Sequence, residues 1–294
     1  MAARKRLFLE ARLFVKSRSK IFCWKEYNLV KTLVSIEVDL ASSLAVRFVC
    51  QLGGLMKMEI YPVYVKESLP HEAVVGAGWA SRTWEKEMIE EGKREISELI
   101  SAEQDFCAVL KEPRVIYGDR EAELLKIMQT EDFDLYVEGV HFAWLPGDLY
   151  RRIHAWLCHR LNSPLLLVRT LRKVNQVQLL CLDPNGTKAL GMLFQRIWKG
   201  CSVPLVLTHP SRQATSEDTR VFRLAIDNAK ALLEQSGCMV VVQDSFPANP
   251  GNDAAEALQN EGLVAIAVDR SVKKDGEELQ WLNLVRTSSL LTFY

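Results

Sequence analysis

The chain has 294 residues, 48% hydrophobic and 25% charged, a balance typical of a globular protein that buries large cores. Lys plus Arg and Asp plus Glu are equal at 37 each, so no net field attracts nucleic acid or an anionic membrane to the whole chain. No apolar run reaches the length of about 18 residues that a helix needs to cross a bilayer. The amino-terminal stretch also lacks the apolar core of a signal peptide, so we expect a cytoplasmic protein.

The first segment, residues 1–28, is a basic arm with eight Lys and Arg residues against two acidic ones, Glu10 and Glu26. Its apolar residues lie among the basic ones: Leu7, Leu9, Phe14, Val15, Phe22 and Trp24. Such a basic amphipathic segment suits peripheral contact with an anionic membrane or docking on an acidic partner. A helix packed on its own domain and a disordered leader are the two other interpretations.

From Lys31 onward, β-branched apolar runs alternate with segments of helical spacing. The runs that predict strands are KTLVSIEV, KMEIYPVYV, RVIYG, FDLYVEG and PLLLVRT. The segments that predict helices are ASSLAVRFVCQLGG, residues 81–102, DREAELLKIMQTED and DLYRRIHAWLCHRL. Pro62 cannot donate a ladder hydrogen bond, which predicts an edge strand or a bulge there. The alternation implies βαβ units and a parallel sheet covered by helices on both faces.

The second half repeats this order of elements. Its strands are predicted at QVQLLCLD, VPLVLTH, MVVVQD, LVAIAVD and the closing segment SSLLTFY. Its helices are predicted at GTKALGMLFQRIWKG, DTRVFRLAIDNAKALLEQSG and NDAAEALQNEG. A repeat of about 130 residues has the size of a duplicated domain. We therefore predict one domain over residues 29–170 and an abbreviated, degenerate copy over 174–294, joined by a short polar connection within 169–176.

The seven cysteines are scattered, odd in number and never in C-x-x-C spacing. This pattern argues against both a disulfide framework and a zinc site. We expect most of them to be small residues of the core.

The repeated unit resembles the universal stress protein family, here as a tandem pair. KTLVSIEVDLASSLAVRF is similar to the family's first strand, acidic residue, serine-containing turn and first helix. VIYGDREAELLKIMQTEDFDLYVEG is similar to its third strand, a Gly-Asp turn at Gly118, the following helix and the strand ending in glycine. The resemblance implies an α/β fold of two tandem Rossmann-like (adenine nucleotide alpha hydrolase-like) domains, each a mostly parallel five-stranded sheet.

The nucleotide-binding branch of the family implies a site after the first and fourth strands. There an acidic residue, here Glu37, faces the adenosine, and a loop of form G-x-x-G-x(9)-G-[ST] holds the phosphates with backbone N–H groups. Gly139 fills the first glycine position, but Phe142 stands at the second, where its side chain would obstruct a phosphate. Arg151 and Arg152 stand where the last glycine and hydroxyl would fall. We predict a lost phosphate loop, with the two arginines binding an anion, lying on a solvated face or forming an interface pair.

In the second half, Asp183 ends the first strand where the resemblance places the adenosine-facing aspartate, although DPNG is also a plain turn before a helix. After LVAIAVD the sequence offers only Gly276, in a stretch that we interpret as a charged loop. Phosphate binding there would depend on Arg270, Lys273 or Lys274 as point charges.

No catalytic motif stands out: the sequence lacks a phosphate-binding loop of form G-x-x-x-x-G-K-[ST] and a G-x-G-x-x-G after a strand. His141, His154 and His159 have no Cys or carboxylate at metal-ligand spacing, so we interpret them as structural or surface residues. We expect neither catalysis nor a metal.

Three functions follow from the resemblance. The first is a non-enzymatic regulatory protein that has no cofactor and binds a protein partner. In this protein the two domains would pair through PLLLVRT and SSLLTFY. A homodimer of the whole chain is also possible. The second is a stress sensor or weak ATPase that binds ATP or AMP. The third is a regulator seated on a membrane transporter.

Overall fold

The computed structural model describes residues 29–67, 79–104, 107–140, 148–210, 216–246, 258, 262–285 and 287–294. The basic arm lies outside these ranges, so its three interpretations remain predictions. No helix of the described residues is long and apolar enough to cross a membrane.

The first half contains five strands and five helices among the described residues. The strands are β1 (Val30–Ile36), β2 (Met58–Glu67), β3 (Arg114–Gly118), β4 (Leu135–Gly139) and β5 (Leu165–Val168). The helices are α1 (Leu40–Gly53), α2 (Trp79–Gln104), α3 (Arg120–Thr130), α4 (Asp148–Ile153) and α5 (Trp156–Arg160). The last predicted helix is therefore two short ones, because His154 and Ala155 interrupt it.

In the second half, strands and helices alternate as they do in the first half. Its strands are β6 (Val177–Leu180), β7 (Leu205–Pro210), β8 (Val240–Phe246), β9 (Leu263–Val268) and β10 (Ser288–Phe293). Its helices are α6 (Pro184–Ile197), α7 (Ser216–Gln235) and α8 (Glu277–Leu284). α8 lies in the stretch interpreted as a charged loop, which was wrong; the predicted helix NDAAEALQNEG lies outside the described residues except for Leu258.

All ten strands form one sheet, in the order β3-β2-β1-β4-β5-β10-β9-β6-β7-β8. Every neighbouring pair is parallel except β5 and β10, which pair antiparallel with Leu167 opposite Ser289 and Leu165 opposite Leu291. The predicted pairing of PLLLVRT with SSLLTFY is confirmed. It makes the two five-stranded units continuous, so that β3 and β8 are the sheet edges among the described residues.

Helices cover both faces of the sheet, as the alternation of strands and helices predicts. Side chains of α1, α2, α6 and α7, such as Phe48 and Phe194, pack with one set of strand residues. Side chains of α3, α4, α5 and α8, such as Leu124 and Trp281, pack with the alternate set. The two hydrophobic cores, one on each face of the sheet, fix the carboxyl ends of the strands relative to one another.

Pro62 lies in an interior strand, because β2 is between β1 and β3, so the expectation of an edge strand was wrong. On the β3 side the pairing shifts by one residue between Ile60–Leu110 and Val63–Arg114, which agrees with the alternative expectation of a bulge. Ile60 directs its backbone groups to Val109 and Lys111, on the β3 side. Alternate strand residues share a direction, so Pro62 also faces that side. β3 pairs with β2 only from Arg114 onward, and the missing donor therefore breaks no ladder bond.

Cys50 of α1 and Cys107, beyond α2, form a disulfide that the sequence argument did not anticipate. Their separation of 57 residues matches no short motif, and only the packing of the α2–β3 connection onto α1 brings them together. The four free cysteines of the described residues are buried, in keeping with a core role: Cys158, Cys181, Cys201 and Cys238.

Candidate functional site

The candidate site is a cleft at the carboxyl ends of β1 and β4. These strands are neighbours, but β1 continues to β2 and β4 continues to β5, so the chain connections diverge between them. Such a switch point is where open parallel sheets bind ligands. The cleft encloses about 210 Å³ and is lined by Ser35, Glu37, Asp39, Ser42, Arg120, Glu138, Gly139, Val140 and Arg152.

A buried carboxylate lies at the base of the cleft. Glu138, on β4, has a side chain only 3% exposed. Its Oε1 lies 3.3 Å from Arg120 Nη2, its Oε2 is ion-paired with Arg152, and the Tyr136 hydroxyl donates to Oε1. An unpaired carboxylate at this depth would be strongly destabilising, so the two guanidinium groups are what allow Glu138 to be buried and charged.

Tyr136 acts in this network as a hydrogen-bond donor. Its side chain is fully buried on the same face of β4 as Glu138, two residues away. Burial raises the pKa of Tyr136 to about 12. The phenol therefore keeps its proton at neutral pH and donates a hydrogen bond to the carboxylate.

Arg120 connects three elements at the cleft. Gly118 ends β3 with φ of 154°, and Asp119 caps α3 by accepting a hydrogen bond from Ala122 N at 2.8 Å. This turn makes Arg120 the first helical residue. Its Nη2 lies 2.9 Å from Ser35 Oγ and 3.2 Å from Glu37 Oε1, in addition to Glu138.

The first turn of α1 uses its polar groups internally. Asp39 caps the helix by accepting from Ser42 N at 2.8 Å, and Ser42 Oγ accepts from Glu37 N at 2.7 Å. A Cβ on Gly139 would overlap the backbone carbonyl of Ala41. Glycine is therefore required at residue 139 for β4 to approach α1, whether or not a ligand is present.

The charge balance of the cleft does not favour a further anion. Three carboxylates, those of Glu37, Asp39 and Glu138, face two guanidinium groups. Both guanidinium groups are already paired with Glu138. A phosphate would have to compete with a buried carboxylate for the same two cations.

Comparison with known structures identifies the fold of the chain that carries this site. No family model matches the chain, and no curated protein matches it either. A universal stress protein from Archaeoglobus fulgidus DSM 4304 aligns over 90% of this chain and 98% of its own, with 13% identity and a TM-score of 0.57. The chain has the universal stress protein fold. At this identity the likeness establishes the fold alone.

Two further solved structures also align over 90% of the chain. One is a functionally unknown protein from Pseudomonas aeruginosa PAO1, with 14% identity, a TM-score of 0.49 and 92% of its chain covered. The other is the cytoplasmic domain of a prokaryotic cation chloride cotransporter, with 14% identity, a TM-score of 0.44 and 95% covered.

Within the universal stress protein fold, the predicted residues of the first half separate into two groups. Glu37, Gly139 and Arg152 line the cleft, and Gly118 ends the strand before Arg120. Arg151 does not line it: its side chain is 79% exposed and ion-paired with Asp148. Phe142, whose side chain carried the predicted obstruction, lies outside the described residues.

Sequence reasoning missed Glu138 and Arg120, the centre of the network. The available signal was a charged residue inside an otherwise apolar strand, directly before its terminal glycine. A buried charge needs a partner, and Arg120 follows the Gly-Asp turn that the resemblance had already singled out.

The second unit of the universal stress protein fold fills the corresponding position with apolar side chains. The last paired residues of β1 and β4 are Ser35 and Glu138, and those of β6 and β9 are Leu180 and Ile266. Leu180 and Ile266 are both buried. A ligand there would meet hydrocarbon where the first unit has a hydroxyl and a carboxylate.

Asp183 corresponds in role to the helix cap Asp39 rather than to Glu37. Its Oδ1 accepts from Asn185 N and Gly186 N at 2.8 and 2.9 Å, and its Oδ2 accepts from the Tyr294 hydroxyl at 2.8 Å. The predicted role toward a nucleoside therefore competes with these contacts.

Arg270, suggested as a phosphate-binding charge, instead donates to the carbonyls of His159 and Leu161 at 2.6 and 2.5 Å. It links the two units. Within the described part of the chain, no cluster of three or more His, Cys, Asp or Glu residues could hold a metal.

Proposed function

We propose that the protein is a cytoplasmic, non-enzymatic regulatory module that acts by binding a protein partner, with no bound nucleotide. The observation that carries the proposal is Glu138. Its carboxylate occupies the position between Arg120 and Arg152 where an anionic ligand group would bind, so the chain supplies its own anion.

The rim of the cleft supports a role in macromolecular contact. Val38 and Leu40, on either side of Asp39, are 58% and 67% exposed. Apolar side chains beside a polar cleft resemble the mixed surface of a protein interface more than the donor-rich cradle of a phosphate site. In the second unit the buried apolar pair Leu180 and Ile266 offers no polar group to an anionic ligand at the corresponding position.

An adenine-nucleotide sensor is the second candidate, and Glu37 favours it. This carboxylate lines the cleft and its side chain is 53% exposed, so it is accessible to a nucleoside. This candidate requires phosphates to enter beside Glu138.

Calorimetric titration with ATP, ADP and AMP separates the two candidates. We expect no saturable heat with any of them, and no stoichiometric adenine in the supernatant after the purified protein is denatured. A dissociation constant in the low micromolar range, about −8 kcal/mol, would overturn the proposal in favour of the sensor. A Glu37→Gln variant serves as the control, because any genuine nucleoside contact through Glu37 weakens in it.

A further inference from the structure

The two edges of the ten-stranded sheet differ in chemistry. β3 is five residues long, begins with the exposed Arg114 ion-paired to Glu131, and follows Pro113. Charge, proline and shortness are the devices by which proteins protect a sheet edge from pairing. β3 is a protected edge.

β8, at the opposite edge, carries a charge only in its second half, at Asp244, and its first half has none of these devices. Residues 239–243 read Met-Val-Val-Val-Gln, without a charge or a proline. Met239 and Val241 are 51% exposed and Val242 is 40% exposed. Exposed β-branched residues on an edge strand favour pairing with another strand.

The backbone of β8 presents hydrogen-bonding groups outward. Leu205 N of β7 donates to the carbonyl of Met239 at 2.8 Å, which directs the backbone groups of Met239 and Val241 toward β7. Alternate residues point the other way, so Val240 and Val242 direct their N–H and C=O groups to the outer edge. Among the described residues, no strand pairs with that edge.

We propose that β8 is a homotypic interface, at which a second copy of the chain pairs antiparallel with it about a two-fold axis at Val241. In this register Val240 lies opposite Val242 of the partner subunit, and four backbone hydrogen bonds form across the axis. Residues 239–243 carry no charge, so no like charges meet.

Closure favours a second copy over an unrelated strand. The edges of β5 and β10 are already used within the chain, and β3 is protected. Pairing of two β8 strands therefore consumes the two unprotected edges and ends at a dimer, whereas a head-to-tail contact would leave an edge open and propagate. The segment is also complementary to itself, since its outward groups repeat with the same spacing in either direction.

The test uses the full chain and two substitutions at one position. Val242→Pro removes the outward N–H without removing a bond to β7, and Val242→Thr keeps the N–H and the β-branched shape. In sedimentation velocity we expect the wild type and Val242→Thr to reach twice 33.4 kDa at high micromolar concentration, and Val242→Pro to dissociate about tenfold more readily or worse. Circular dichroism confirms that each variant is folded.

Hydrogen exchange provides a readout that needs no variant. We expect the amides of Val240 and Val242 to exchange slowly in concentrated protein and to speed up on dilution. A monomer at all concentrations overturns the proposal, as does a Val242→Pro dimer as stable as the wild type. The proposal is also overturned if the amides of Val240 and Val242 exchange slowly at every protein concentration. The edge would then be covered by another part of the same chain, for example by residues 247–261.

Discussion

Replacing Glu138 with glutamine tests whether the carboxylate is the internal anion of the cleft. The substitution keeps the size of the side chain and removes its charge, leaving Arg120 and Arg152 without their shared partner. Two unit charges 3.3 Å apart interact by about 5 kcal/mol at an effective dielectric constant of about 20. The side chains of Arg120 and Arg152 are 18% and 33% exposed, so water recovers part of this energy and we expect a net loss of about 3 kcal/mol.

Chemical denaturation and scanning calorimetry measure that loss. For a chain of 294 residues, about 3 kcal/mol corresponds to a fall in melting temperature of roughly 5 °C. Glu103→Gln is a matched control, because Glu103 is also a buried carboxylate, is paired with Arg47 at 2.5 Å and does not line the cleft. Arg47 is half exposed, so we expect the control to lose only about 1 kcal/mol.

Added anion distinguishes an internal anion from a merely structural charge. If Arg120 and Arg152 form an anion site once Glu138 is neutral, phosphate at about 100 times its dissociation constant returns about 2.7 kcal/mol to Glu138→Gln. The wild type and Glu103→Gln gain only the general stabilisation that phosphate gives any protein through exclusion from its surface. An equal gain in all three proteins refutes the reasoning.

Three other predictions concern Gly139, the Cys50–Cys107 disulfide and Tyr136. Gly139→Ala forces a Cβ onto the carbonyl of Ala41 and lowers the unfolding free energy in urea by about 3 kcal/mol or prevents folding. Reducing Cys50–Cys107 opens a loop spanning 57 residues and lowers the stability seen in thermal unfolding by about 4 kcal/mol. The pKa of Tyr136, raised to about 12, contributes stability that is complete below its ordinary value of about 10 and is lost as pH rises through about 12. A Tyr136→Phe variant lacks this alkaline loss when unfolding is followed against pH.

The strands and their order along the chain were accessible from the sequence, because each strand is a short apolar run between turn residues. Val177–Leu180 and Leu263–Val268, for instance, are buried along their whole length, as parallel strands covered on both faces must be. The pairing of β5 with β10 was accessible from the family resemblance, which implies pairing through the last strand of each unit, and it also covers two apolar edges. α8 was missed, because its charged first turn, at Glu277 and Glu278, resembled a loop.

The site was only partly accessible, since its contacts join distant positions. Glu138 meets Arg120 across 18 residues, and the pair depends on how β3, β4 and α3 are arranged. Gly139 was assigned to a phosphate loop from its place in a pattern, whereas the structure requires glycine there for packing against Ala41. A pattern shows that a residue type is needed but does not show which neighbour needs it.

At the carboxyl ends of equivalent strands, the first unit has polar residues and the second unit has apolar ones. An apolar pair such as Leu180 and Ile266 packs without any requirement for partners, whereas a buried carboxylate needs every one of its contacts. Replacing a buried ion pair by apolar residues is often neutral or stabilising, so stability alone does not account for the network around Glu138. Because the second unit shows that the fold accommodates apolar residues at this position, we expect the polar network of the first unit to serve the partner contact that we propose at Val38 and Leu40.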